Sequence, residues 1–236
     1  LVIAAGVYKM KSKRIEIAPS ILSADFRNLE REVKAAQDAG ADRIHCDVMD
    51  GVFVPNITFG PLVVEAVKKC VSIPLDVHLM ISRPEQYYNQ FVDAGADILT
   101  FHAEASNDCG SLLENIRKRG VKSGITVNPD KPIDLFLPFM EKIDQILIMT
   151  VYAGYGGQKF IDDMLAKIEA TAKEINRQAH TVDLQVDGGI NEETALKCAR
   201  KGVNVFVAGS YIFGSDDYRK KISALKLSAE SGLKDV

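Results

Sequence analysis

From about residue 15 onward, short runs rich in Val and Ile alternate with longer amphipathic stretches, and the alternation repeats eight times. This constrains the fold more than any other feature, because strands separated by helix-length segments pair in parallel. The predicted strands are Glu16–Ser20, Arg43–Asp47, Leu75–Leu79, Ile98–His102, Lys122–Val127, Gln145–Met149, Asp183–Asp187 and Val205–Ala208. The helical patterns between them include "NLEREVKAAQDAG", "PEQYYNQFVDAG", "GSLLENIRKRG", "PIDLFLPFMEK" and "NEETALKCARKG". Gly40, Gly95, Gly120 and Gly202 follow the last turn of four of them, where a left-handed residue closes a helix. Their spacings are near whole multiples of about 27 residues, the length of one βα unit.

Eight such units predict a single (β/α)8 TIM barrel over residues 13–236, with no linker to divide it. Residues 1–12 are set aside as an N-terminal extension or a remnant. An open doubly wound sheet is the rival architecture, but its strands would be apolar on both faces, and several here carry a polar face.

Composition narrows the function. No run approaches ~18 apolar residues, so no helix that spans a membrane is expected. A net charge of −3 with scattered Lys and Arg argues against nucleic acid, and an anionic ligand would need a local pocket. The four cysteines, Cys46, Cys70, Cys109 and Cys198, show no CxxC spacing and suit a reducing compartment.

Alternation in the stretch His45-Cys46-Asp47-Val48-Met49 puts His45, Asp47 and Met49 on one face. Strand three places Asp76, His78 and Met80 together in the same way, strand seven ends in Asp187, and strand one ends in Ser20. These are C-terminal strand ends, where barrel active sites are built. One inward histidine is most often a hydrogen-bonded core residue. Four groups of ligand type on three strand ends favour a site: His45, Asp47, His78 and Asp187 form an N2O2 set for one divalent cation, without choosing among Zn, Fe, Mn and Co. Met49, Met80 and Met149 fill core gaps, line a pocket that excludes water, or do both.

Glycine supplies the other half of the pocket. Gly154-Tyr155-Gly156-Gly157, Gly188-Gly189 and Gly209-Ser210 follow strands six, seven and eight. Singly each is a turn signal, whereas together they form a cradle of backbone donors for phosphate. A cation beside two carboxylates and facing phosphate suits proton transfer on a phosphorylated carbonyl compound through an enediolate.

The segments "APSILSADF", "HCDVMDGVFVPNITFGP", "DVHLM", "GGQKF", "VDGGI" and "VFVAGSYIF" occur in order, and through them the chain resembles the ribulose-phosphate 3-epimerases. The resemblance implies interconversion of D-ribulose 5-phosphate and D-xylulose 5-phosphate, with Asp47 as proton acceptor and Asp187 as donor. It implies metal ligands at His45, Asp47, His78 and Asp187. Substrate contacts would come from Ser20, His78, Gly154, Tyr155, Gly156, Gly157, Asp187, Gly188, Gly189, Gly209 and Ser210, and the cap from Met49, Met80 and Met149. It also implies a homo-oligomer, dimer or hexamer, in the pentose phosphate pathway. A cytoplasmic setting is expected, or a plastid one if residues 1–12 are a processed remnant. The chain departs from the family pattern after strand six, where it reads Val151-Tyr152-Ala153-Gly154-Tyr155 without the usual proline. The alternatives are an epimerase of a six-carbon ketose phosphate, a decarboxylase of similar fold, and a non-catalytic phosphate-binding barrel. The decarboxylases use an Asp-x-Lys-x-x-Asp array, and strands two and three contain no lysine.

Overall fold

The computed structural model describes residues 14–234, so the segment 1–12 lies outside the described residues. The eight strands are β1 Glu16–Pro19, β2 Ile44–Met49, β3 Leu75–Met80, β4 Ile98–His102, β5 Lys122–Val127, β6 Gln145–Met149, β7 Asp183–Asp187 and β8 Val205–Ala208. All ladders are parallel, in the order β1-β8-β7-β6-β5-β4-β3-β2. A single parallel bridge between Ser20 and His45 brings the two ends of that series together. Below it, Asp42 accepts the Ile17 N–H on its side chain at 2.9 Å and donates its own N–H to Ile17 at 3.0 Å. The result is the expected (β/α)8 barrel.

The helices are α1 Leu29–Asp38, α2 Pro61–Cys70, α3 Tyr88–Asp93, α4 Cys109–Lys118, α5 Met164–Ile175, α6 Glu192–Ala199, α7 Ser210–Phe213 and α8 Tyr218–Lys234. Gly40, Gly95, Gly120 and Gly202 take φ of 98°, 99°, 77° and 97°, as left-handed C-caps require. The expected helix in "PIDLFLPFMEK" is instead two 3-10 segments, Ile133–Leu135 and Leu137–Lys142. Pro138 has no N–H to give to an i−4 carbonyl and its ring crowds that carbonyl, so the chain tightens. The short α7 directly after β8 was not anticipated.

Strands β2, β3, β4, β6 and β8 are buried along their whole length. Their outward residues, such as Ile44, Cys46, Val48, Val77 and Leu79, join the helices in one large apolar shell. Their inward residues differ in kind. At the base of the barrel interior, Arg43 donates from Nη1 to Gln145 Oε1 at 2.6 Å, and Gln145 Nε2 donates to Asp76 Oδ1 at 3.0 Å. Buried polar groups of this density persist only when paired. This paired network forms the floor on which the groups above it stand.

Candidate active site

Above that floor, His45 and Asp47 on β2, His78 on β3 and Asp187 at the end of β7 each present one ligand-type atom, all within 4.8 Å of one another. Inward alternation sets this directly, because β2 and β3 pair with His45 opposite Asp76 and Asp47 opposite His78. His78 Nδ1 lies 3.1 Å from Asp47 Oδ1, and His45 Nε2 lies 3.2 Å from the same oxygen. Ser20 donates to the other oxygen, Asp47 Oδ2, at 2.6 Å.

The donor set fits a divalent cation on two grounds. His45 Nε2 is buried and points into the cluster, and its 3.2 Å approach to Asp47 Oδ1 is not aligned as a hydrogen bond. Its other nitrogen, Nδ1, lies 3.1 Å from Asp76 Oδ2, the carboxylate contact that fixes tautomer and ring orientation in metal-binding histidines. Electrostatics agree. Burial alone would lower His45, yet the charges of Asp47 and Asp76 hold it well above the ordinary histidine value, so the pocket attracts positive charge.

The two carboxylates are pushed apart. Burial, and next the charge of Asp47, push Asp187 up to about 7. Burial would also raise Asp47, but His45 and His78 beside it overcome that effect and hold it well below the carboxylate range. Such divergence between two close carboxyls is how a site separates a base from an acid.

Over the cluster opens a cavity of about 420 Å³, within the range of small-ligand sites. Ser20, Asp47, Asp187, Gly154, Tyr155, Gly156, Gly157, Gly188, Gly189, Gly209 and Ser210 all line it, as do Met49, Met80 and Met149. His45 and His78 stand behind the wall, fully buried. Met49 and Met80 pack with Val54, Met149 packs with Leu147 and Val151, and Ala153 touches both groups. The methionines are therefore core and lining at once. Gly188 and Gly189 take φ of 119° and 65°, which turns the backbone after β7 back toward the cavity.

The segment after β6 is tied across the mouth. Asn56 Nδ2 donates to Gly154 O at 2.9 Å, and the Tyr155 hydroxyl donates to Pro55 O at 2.8 Å. Tyr152 lines the rim but is 54% exposed, so its bulk points largely outward. The lining also contains Leu22, Ser23, Gln158, Lys159, Phe160, Asn191 and Tyr211, which sequence reasoning did not single out. It missed His102 and Glu104 as well; a histidine on the last residue of β4, two residues beyond Thr100 and therefore on the same inward face, was the available signal.

The family model described as the ribulose-phosphate 3 epimerase family matches residues 16–213. Ribulose-phosphate 3-epimerase of Bacillus subtilis is 48% identical over 217 residues, which cover 90% of this chain and 98% of that protein. The chloroplastic ribulose-5-phosphate-3-epimerase of Arabidopsis thaliana is 42% identical, covering 94% of this chain and 80% of its own. Among solved structures, KGPDC from Streptococcus mutans superposes with a TM-score of 0.69 at 14% identity, covering 94% of this chain and 100% of that one; the likeness is one of fold alone.

Proposed function

Since the chain belongs to the ribulose-phosphate 3-epimerase family and is an isomerase, we propose that it interconverts D-ribulose 5-phosphate and D-xylulose 5-phosphate by proton transfer between two carboxylates. The observation that carries this reading is the convergence of His45, Asp47, His78 and Asp187 beneath a cavity lined by glycine loops.

His45, Asp47, His78 and Asp187 would hold one divalent ion, whether Zn, Fe, Mn or Co. When bound, the ion supplies positive charge opposite the enediolate oxygens. The protein's own groups do the rest. Asp47 removes the C3 proton from one face, steadied by the Ser20 hydroxyl at 2.6 Å. Asp187 returns a proton to the opposite face, and inversion follows because the two carboxyls are separate proton carriers. In reverse the roles exchange. Met49, Met80 and Met149 keep bulk water from the intermediate. Backbone N–H groups of Gly156–Gly157, Gly188–Gly189 and Gly209–Ser210 face the phosphate, and Lys159 adds charge at the rim.

With that activity go assembly as a homo-oligomer, dimer or hexamer, and a place in the pentose phosphate pathway, in the cytoplasm or in a plastid; the Arabidopsis relative is chloroplastic. No helix among the described residues is long and apolar enough to cross a membrane. A coupled assay on ribulose 5-phosphate and on allulose 6-phosphate, with metal analysis of the same sample, tests the reading. Faster turnover of the six-carbon sugar would reassign the substrate, and no turnover of either would overturn the activity.

A further inference from the structure

Behind His78 runs a chain of polar contacts that the reaction does not use directly. His78 Nε2 lies 3.0 Å from His102 Nε2, with the ring centroids 5.1 Å apart and the ring planes within 22° of each other. His102 Nδ1 lies 3.4 Å from Glu104 Oε1. That oxygen also accepts the Asn128 N–H at 2.9 Å and Asn128 Nδ2 at 3.0 Å. His102 is fully buried, and Glu104 Oε2 is buried without a hydrogen-bond partner. An unsatisfied buried carboxylate oxygen is costly, so the position is unfavourable for packing alone.

With a cation held between Asp47 and His78 Nδ1, the protons in this chain have one consistent arrangement. A neutral imidazole that ligates through one nitrogen carries its proton on the other. His78 turns Nδ1 toward Asp47 and the ligand cluster, so its Nε2–H must donate to His102 Nε2. His102 then carries its own proton on Nδ1, where Glu104 accepts it. With one proton on each ring, two protons serve three gaps, and a cation in the cluster fills the role of the third. If His102 were protonated on Nε2 instead, two N–H groups would face each other and a bare ring nitrogen would face a carboxylate.

We propose that Glu104 is a positioning residue of the metal site, acting through His102 to fix the nitrogen that His78 turns toward the cation. This rests on the metal reading above. The pair His45–Asp76 is the direct form of the same device; His78 reaches its carboxylate through a second imidazole.

The test uses Zn(II)-loaded protein labelled with 15N-histidine, in which long-range 1H–15N correlations report the protonated nitrogen of each ring, together with Zn(II) affinity by chelator competition. In the wild type, His78 is expected to be protonated on Nε2 and His102 on Nδ1. In Glu104→Ala, the His102 proton should shift toward Nε2 and Zn(II) affinity should fall about 10- to 100-fold. Glu104→Gln keeps an acceptor oxygen and should restore most of both, which a purely structural role of the side chain would not require. Wild-type His102 protonated on Nε2 overturns the proposal even if Glu104→Ala fails to fold. Weakened Zn(II) binding in His78→Ala with wild-type affinity in Glu104→Ala overturns the proposal alone. Wild-type affinity in both variants overturns the metal reading with it.

Discussion

The Ser20 hydroxyl donates to Asp47 Oδ2 at 2.6 Å, and it does so across the one junction of the barrel, among the described residues, that no ladder closes. Asp47 is buried, and Ser20 is the hydroxyl that satisfies this oxygen. A hydrogen bond to a charged group contributes roughly 1.5–3 kcal/mol. Ser20→Ala should therefore lower kcat/KM about 10- to 100-fold if that energy is expressed in the transition state. Steady-state kinetics beside a melting curve separate this from general loss of fold; unchanged kinetics would remove Ser20 from the proton-transfer step.

Asp47→Asn and Asp187→Asn should each abolish net epimerisation, because each deletes the proton carrier for one face of C3. The surviving carboxylate still reaches its own face, so one variant is expected to exchange the C3 hydrogen with heavy water without inverting the centre. Metal content has to be measured in each sample, since both residues are proposed ligands. A metal-replete variant that still inverts C3 at the wild-type rate would rule out the two-carboxylate scheme.

His45→Ala and His78→Ala should lose bound metal together with activity. Exhaustive chelation of the wild type should do the same, and divalent ion added back should restore turnover. Full activity in protein shown by elemental analysis to be metal-free would count decisively against the site.

A Cβ on Gly209 would lie 2.7 Å from Ser23 Oγ and 3.7 Å from Ser20 Cβ, on the cavity side of the turn after β8. Gly209→Val should raise KM for the phosphorylated sugar more than it lowers kcat. If KM stays at the wild-type value, the phosphate lies elsewhere.

Gly124, inward on β5, tests the floor rather than the mouth. A Cβ there would overlap Thr100 Oγ1 and stand 2.9 Å from Thr100 Cβ and 3.1 Å from its Cα. The clash is with backbone as well as side chain, so little relaxation is open to it. Gly124→Ala is expected to destabilise by about 1–3 kcal/mol, the usual range for overpacking, read from urea denaturation. Thr100 accepts from Gln145 at 3.2 Å, so the damage should spread into the polar floor.

The barrel was legible because its signals are local. Alternation at His45, Asp47 and Met49 sets an inward face by geometry alone, and a glycine after a helical run announces a left-handed cap. The ligand cluster was legible for the same reason, since inward residues on β2, β3 and β7 all face the barrel interior. What escaped depends on distance in space. Glu104 matters through His102 and Asn128, and its sequence neighbourhood says only that a short turn follows β4. The segment from Pro132 to Lys142 carries a helical apolar pattern, but Pro138 withdraws a backbone donor in its middle, and the pattern cannot reveal which influence prevails. The methionines left two readings open in sequence; packing shows them as core, and they also line the cavity.

The bridge between Ser20 and His45 has a consequence for synthesis of the chain. Among the described residues the only ladder of β1 is with β8, the last strand to be made, while its link to β2 is that bridge and a few side-chain contacts, from Asp42, from Arg43 to Glu16 and from Ser20 to Asp47. A nascent chain can therefore assemble β2 through β7, with both histidines and both aspartates in place, and still lack a firmly held hydroxyl beside Asp47. On the proposed activity, full turnover is therefore expected only once the newest segment pairs with the oldest, so the rise of turnover during translation would report closure of the ring itself.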